Sequence, residues 1–519
     1  MAMKQTMVRS AILFAGALLA AAQTDPVVAV TGGEIRGRLT TDGGAAFKGI
    51  PYARPPLGDL RWRDPQPVTP WTGLREAGKF AVACTQLSEG WNQKYVTGSA
   101  EDCLYLNVST QEWPPKPKHP VMVWIHGGSN TAGSGEAAGF DQRTMVHHGL
   151  VLVTINYRLG ALGFMEHPEL AKESPHHTSG NYGLLDQIAA LHWVHDNIAR
   201  FGGDPDNITV AGQSAGSYDI SMLLTAPLAK GLFHRAIAES GATSGFSGSL
   251  TAARAEKAGL ALAANLNAPE TGVMQFLRSK SPEEILTAAN AVRRTAGTNR
   301  DGLETSIDGY VLPKSPTEVF AAGGSMRVPL IVGSQAQETG GPNNAAQLRD
   351  TIRKAYGSLA DDALKLYGLA GEGTGQADPL YGGIGSQWST DTGFRCPATA
   401  EALGHAATGQ PTYQYEFEHA PPGRPATSHS SELNFLFNTW AANVQLSDMD
   451  RTISEQAQTY WANFARTGNP NGQGLPVWPK VTVKGEEYLA FTDNGAAPKA
   501  GVRRAFCEVF MQFLQAAGK

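Results

Sequence analysis

The five residues Gly212-Gln213-Ser214-Ala215-Gly216 form the single G-x-S-x-G of the chain. Glycines on either side of a serine suit a crowded strand-to-helix turn that holds the serine in strained backbone and exposes its hydroxyl. The neighbours fit such a turn. Ile208-Thr209-Val210-Ala211 reads as a strand before it, and Tyr218 to Leu224 can begin a helix after it. A lone hydroxyl is a weak nucleophile, so chemistry there needs a base to take its proton and donors to meet the resulting anion. His126-Gly127-Gly128-Ser129 follows another strand-like run, and its backbone N–H groups can face a developing negative charge. The N–H of Ala215, at the start of the following helix, is a further donor. Taken alone, each motif competes with a plain glycine turn.

Elements of the right type surround these motifs. Val121 to Ile125, Leu150 to Ile155, Ile208 to Ala211, Val328 to Val332 and Tyr413 to Phe417 are short apolar runs of strand type. Helical patterns lie between them, Asn181 to Phe201 the clearest, and such alternation predicts an α/β fold with a mostly parallel sheet flanked by helices. In open sheets of that kind, sites form at the carboxyl ends of the strands. Four of the runs end in candidate functional loops: His126-Gly127-Gly128, Asn156-Tyr157-Arg158, Gly212-Gln213-Ser214 and Gln337-Glu338. Thr251 to Arg300 is helix-rich and is expected to cap the site. No repeat or long linker divides the chain, so residues 23–519 are read as a single catalytic domain.

Composition narrows the partners. The net charge is −5 with no long run of either sign, which argues against a nucleic-acid partner. Lys4 and Arg9, the apolar run Ala11 to Leu19 and then Ala20-Ala21-Ala22 read as a signal peptide, residues 1–22, cleaved before Gln23. The run is shorter than the ~20 residues of a spanning helix, so a secreted or periplasmic protein without a membrane anchor is expected. Four cysteines in an oxidising compartment allow three pairings.

Further motifs carry a resemblance. They are Phe47-Lys48-Gly49-Ile50-Pro51-Tyr52-Ala53 with Pro55-Pro56-Leu57-Gly58, Glu101 to Val108, Asn156-Tyr157-Arg158, Phe201-Gly202-Gly203-Asp204-Pro205 and Tyr460 to Pro470. With the serine pentad they make the chain resemble the type B carboxylesterases, which include cholinesterases and bacterial p-nitrobenzyl esterases. The likeness covers nearly all of the chain beyond the signal segment. It implies an α/β-hydrolase that cleaves small-molecule carboxylic esters through a covalent acyl-enzyme, with no cofactor.

The resemblance also implies site residues. Ser214 is the nucleophile, Glu338 in Gly333-Ser334-Gln335-Ala336-Gln337-Glu338 the acid, and His429 the base. The order Ser, acid, His is that of the fold. Gly127, Gly128, Ser129 and Ala215 form the oxyanion hole, Ser240 lies near the triad, and Cys84–Cys103 and Cys396–Cys507 are disulfides. Arg61–Glu101 and Arg158–Asp186 are internal ion pairs. Glu432, three residues beyond His429, is a rival partner for the histidine and reads as a backbone brace. Two departures stand out. Ser129 replaces a frequent third glycine, and Gln213 stands where cholinesterases carry glutamate, which argues against cholinesterase activity. Trp91 is read as packing, and His148, His192 and His195, in predicted helices, as structural.

Two other classes compete. Adhesion and carrier proteins share this fold but lack the nucleophile, whereas Ser214, Glu338 and His429 are all present here. A metal hydrolase needs a ligand cluster, and no H-E-x-x-H occurs, so no metal is expected.

Overall fold

Apolar runs become central strands when both faces of the sheet are covered, since successive side chains point to opposite sides. The computed structural model describes residues 24–136, 143–243, 250–295, 303–342, 344–482 and 487–517. The expected signal peptide lies outside them. The largest sheet is eleven-stranded. Its strands are β1 (Arg38–Leu39), β2 (Ala45–Pro51), β3 (Tyr105–Thr110), β4 (His119–Ile125), β5 (Val151–Ile155) and β6 (Gly203–Gln213). They continue with β7 (Arg235–Glu239), β8 (Leu330–Gln335), β9 (Thr412–Phe417), β10 (Glu487–Thr492) and β11 (Gly495–Ala500). The spatial order is β11-β10-β9-β8-β7-β6-β4-β5-β3-β2-β1. From β5 across to β10 neighbours run parallel, and both edges are antiparallel. All five runs read from the sequence are strands of this sheet.

Alternation along the strands builds two cores. Val121, Val123 and Ile125 of β4 join one buried cluster, while Met122 and Trp124 join the other. The first is closed by α1 (Tyr182–Asn197), the second by the helix Asp448–Thr467. The latter buries Ile453, Ala457, Tyr460 and Trp461, a stripe at helical spacing. Trp461 packs among Tyr415, Trp478 and Phe491, so truncating it to alanine costs about 3–5 kcal/mol. The expected helix over 181–201 is α1 followed by a tighter turn, Ile198–Phe201.

Long-range ties hold the insertions. Arg61 grips Glu101 through Nε and Nη2, at 2.7 and 2.5 Å, while its Nη1 donates to the carbonyls of Leu277 and Lys280. That pair therefore anchors the helical insertion, made of Ala252–Asn265, Val273–Arg278 and Pro282–Thr295. Arg158 holds Asp186 at 2.8 and 2.7 Å, joining the end of β5 to α1. Breaking such a buried pair from one side costs about 3–5 kcal/mol. Cys84 is bonded to Cys103 and Cys396 to Cys507. The second bridge closes 111 residues, for which the chain-entropy model gives about 4–5 kcal/mol.

Several buried carboxyls face neutral partners. Burial pushes Glu166, Asp219 and Glu401 up to about 7 and Glu239 up to about 8. Each is raised above its unfolded value near 4, so it contributes stability that is present at low pH and lost as pH rises through 7–8. Burial lowers His126 to about 4, and the stability this contributes is lost only as pH falls below about 6.5. From pH 6.5 to 8.5 the carboxyls dominate. Thermal unfolding is expected to give a lower Tm at pH 8.5 than at 6.5, with a smaller drop in Glu401→Gln. A Tm that rises over this interval contradicts the assignment.

Candidate active site

The serine pentad forms the turn between β6 and α2 (Ala215–Leu223). Ser214 has φ 59° and ψ −123°, a left-handed conformation that costs about 1–3 kcal/mol and projects the side chain from the turn. A Cβ on Gly216 would lie 2.0 Å from the carbonyl oxygen of Ile125 on β4, so only glycine permits this packing. The Ser214 N–H donates to Glu239 O at 2.8 Å, tying the turn to the end of β7.

Ser214 Oγ lies 2.7 Å from His429 Nε2, and His429 Nδ1 lies 2.7 Å from Glu338 Oε2. Proton placement follows: Nδ1 donates to the carboxylate, which leaves Nε2 to accept from the serine. Glu338 follows β8 and its side chain is fully buried. Its Oε1 accepts the Gln335 N–H at 2.8 Å, and its backbone carbonyl accepts the His429 N–H at 2.8 Å. Glu432 is also buried, but it sits elsewhere. Its Oε1 accepts from Ser240 Oγ at 3.4 Å, and burial, with Glu239 and Glu338 adding to it, pushes its carboxyl well up.

The glycine loop after β4 rides over the serine turn. A Cβ on Gly127 would lie 2.6 Å from Gln213 O and 2.9 Å from Ser214 Cβ. Gly128, Ser129 and Asn130 follow with φ of 116°, 57° and 56°. Ser129 thus adopts backbone that favours glycine, at a cost of roughly 1–2 kcal/mol. The N–H groups of Gly127, Gly128 and Ala215 donate to no other group among the described residues. With Ser129 and Ser214 these residues line a cavity of about 1070 Å³.

Several residues around the cavity escaped the sequence reading. Trp91, expected to pack, is instead 61% exposed and lines the cavity. Its loop is pinned by Gln86, whose side chain pairs with the N–H and carbonyl of Gly133, and this turns the indole outward beside Gly128. Phe394 lies on a π-helical turn, Asp391–Arg395, with its ring 5.1 Å from that of His429. Such turns often mark functional positions. Arg395 braces it from within, pairing with Asp391 and Glu416 and donating to Ala336 O. Gln213 places Nε2 3.4 Å from His429 Nε2. None of the three helices of the insertion, expected to cap the site, lines the cavity among the described residues, whereas Glu304 and Thr305, later in the chain, do. His192 and His195 lie on α1, and His148 pairs with Gln458 at 3.2 Å, just past a short helix. None of the three lines the cavity.

Comparisons with known proteins agree with one another. The family model described as the carboxylesterase family matches residues 24–510. Carboxylesterase 1F of Mus musculus is 35% identical over 513 residues, spanning 89% of this chain and 90% of that protein. Liver carboxylesterase 1F of Rattus norvegicus is 35% identical over 514 residues, with shares of 89% and 90%. Among solved structures, a PNB esterase superposes with TM-score 0.80 at 32% identity, covering 94% of this chain and 100% of that one. A thermophylic PNB esterase gives TM-score 0.83 at 31% identity, with the same coverage. The sheet is accordingly that of an α/β-hydrolase, and the chain belongs to the carboxylesterase family as a carboxylic ester hydrolase.

Proposed function

We propose that Ser214, His429 and Glu338 carry out ester hydrolysis through a covalent acyl-enzyme. The single observation that carries this reading is the pair of 2.7 Å contacts linking the serine, imidazole and carboxylate. Ser214 Oγ attacks the ester carbonyl carbon while His429 Nε2 takes its proton. The carbonyl oxygen becomes an anion facing the N–H groups of Gly127, Gly128 and Ala215, with that of Ser129 as a further donor. Collapse expels the alcohol, which receives the proton from His429. Water then attacks the acyl-enzyme by the same route and releases the acid. Glu338 holds the imidazole in its productive tautomer and stabilises the imidazolium.

The substrate in this reading is a small-molecule carboxylic ester. Residues 23–519 act as one catalytic domain, released from a signal peptide, residues 1–22, into the periplasm or medium. The two disulfides support an oxidising compartment. Among the described residues no helix is long and apolar enough to cross a membrane.

Ser214→Ala is expected to lower kcat at least about 10³-fold on a p-nitrophenyl ester and to abolish labelling by a fluorophosphonate. Residual activity above a few per cent, with contaminating esterase excluded, contradicts the assignment. Glu338→Gln is expected to lower kcat by about 10³–10⁴, the scale of losing the orienting carboxylate, and Glu432→Gln by far less. A greater loss from Glu432→Gln, with both variants folded, moves the acid role to Glu432.

A further inference from the structure

The donors for the oxyanion and the nucleophile lie on different elements, so their relative position depends on whatever joins the glycine loop to α2. Asp219 stands five residues after Ser214 on that helix and is fully buried. Its Oδ1 accepts from Asn130 Nδ2 at 2.8 Å, and its Oδ2 accepts from Gln187 Nε2 of α1 at 2.6 Å. Asn130 is where the glycine loop ends. Its backbone is left-handed, and its carbonyl accepts the Gly160 N–H at 2.6 Å. The Tyr157 hydroxyl lies 2.8 Å from His126 O and 2.9 Å from Asn130 Oδ1, so its one proton serves both ends of the loop. The Tyr157 ring stacks on that of His126 with centroids 4.5 Å apart.

Stability alone does not call for an acid at this position. The neighbours Ile220, Met222 and Leu223 on α2 are buried apolar side chains, and no ion pair reaches Asp219 among the described residues. Taking a carboxyl out of water without a cation is costly even when it is hydrogen-bonded, and an apolar residue is cheaper for the fold. Burial raises this carboxyl to about 7, in keeping with that cost.

We infer that Asp219 is a positioning residue that clamps the oxyanion loop, through Asn130, onto the helix carrying Ser214. The inference rests on the oxyanion hole proposed above and goes beyond it by naming what holds the hole in register. A loop released from this clamp shifts its N–H groups relative to the forming oxyanion, so the loss falls on the transition state rather than on substrate binding.

The test is a double-mutant cycle on the full-length enzyme with a p-nitrophenyl ester and a trifluoromethyl ketone inhibitor. The ketone adds the serine oxygen and so reports oxyanion binding. Asp219→Ala is expected to lower kcat about 30-fold with KM within about threefold, and to raise the ketone Ki by a similar factor. Asn130→Gly, which keeps the left-handed backbone while removing the amide, is expected to do the same. The double variant is expected to lose no more than the worse single one. Asp219→Asn recovers at least about tenfold of the loss, because the Gln187 amide can turn its otherwise unpartnered Oε1 to receive the new N–H. Should Asp219→Ala fail to fold, Asn130→Gly and Asp219→Asn carry the comparison. Asp219→Ala or Asn130→Gly keeping kcat and Ki within threefold of the wild type overturns the inference, as do losses that multiply in the double variant. Ser214→Ala run alongside separates the two claims: an active Ser214→Ala overturns the nucleophile, whereas an inactive one beside fully active clamp variants overturns only the clamp.

Discussion

Much of this molecule is organised around one unfavourable turn. Ser214 occupies left-handed backbone, and the polypeptide around it must supply enough packing and hydrogen bonding to hold it there. β4 presses Ile125 against Gly216, β7 offers the Glu239 carbonyl to the Ser214 N–H, and the loop after β4 closes over the turn. Because the central strands run parallel, their carboxyl ends lie along one edge of the sheet. Residues far apart in the chain, from His126 to Glu338, are delivered to the same place. A shift of one residue in the pairing of β6 with β4 would turn Gly212 and Ser214 away from the loop, which is why register matters more here than the identity of any one core residue.

Further buried acids lie near the contact of Glu338 with His429. Glu239, Glu338 and Glu432 are buried, and the first two add to the burial that raises the Glu432 carboxyl. Glu239 is raised to about 8 by burial and accepts the Trp461 indole N–H, while burial raises Glu432 well above the usual carboxyl value and its Oε1 accepts from Ser240.

The strands, the serine turn and the glycine loop were legible in the sequence because each is a local pattern of apolar alternation and glycine placement. Glu338 was legible as the end of a strand-borne loop, but its role and that of His429 came only through resemblance, since nothing in the 90 residues between them marks them as partners; their contact is made by the pairing of β8 with β9 and the loop that follows. Trp91 was misread because the outward turn of its loop is set by Gln86 and Gly133, residues 47 apart. The Asp219 clamp spans 89 residues to Asn130 and 32 to Gln187. Its one local signal is an acid among apolar neighbours on a buried helix. Phe394 had no such signal, because its placement depends on a π-helical turn held by the buried Arg395.

The proposed hydrolysis requires the serine hydroxyl, the imidazole and the loop N–H groups to converge on one ester carbonyl group. A crystal structure of the enzyme inactivated by a phosphonate ester tests it most directly. Phosphorus is expected on Ser214 Oγ, with the phosphoryl oxygen about 2.7–3.1 Å from the N–H groups of Gly127, Gly128 and Ala215. Phosphorus on another residue, or a phosphoryl oxygen turned to solvent with those N–H groups left empty, contradicts it.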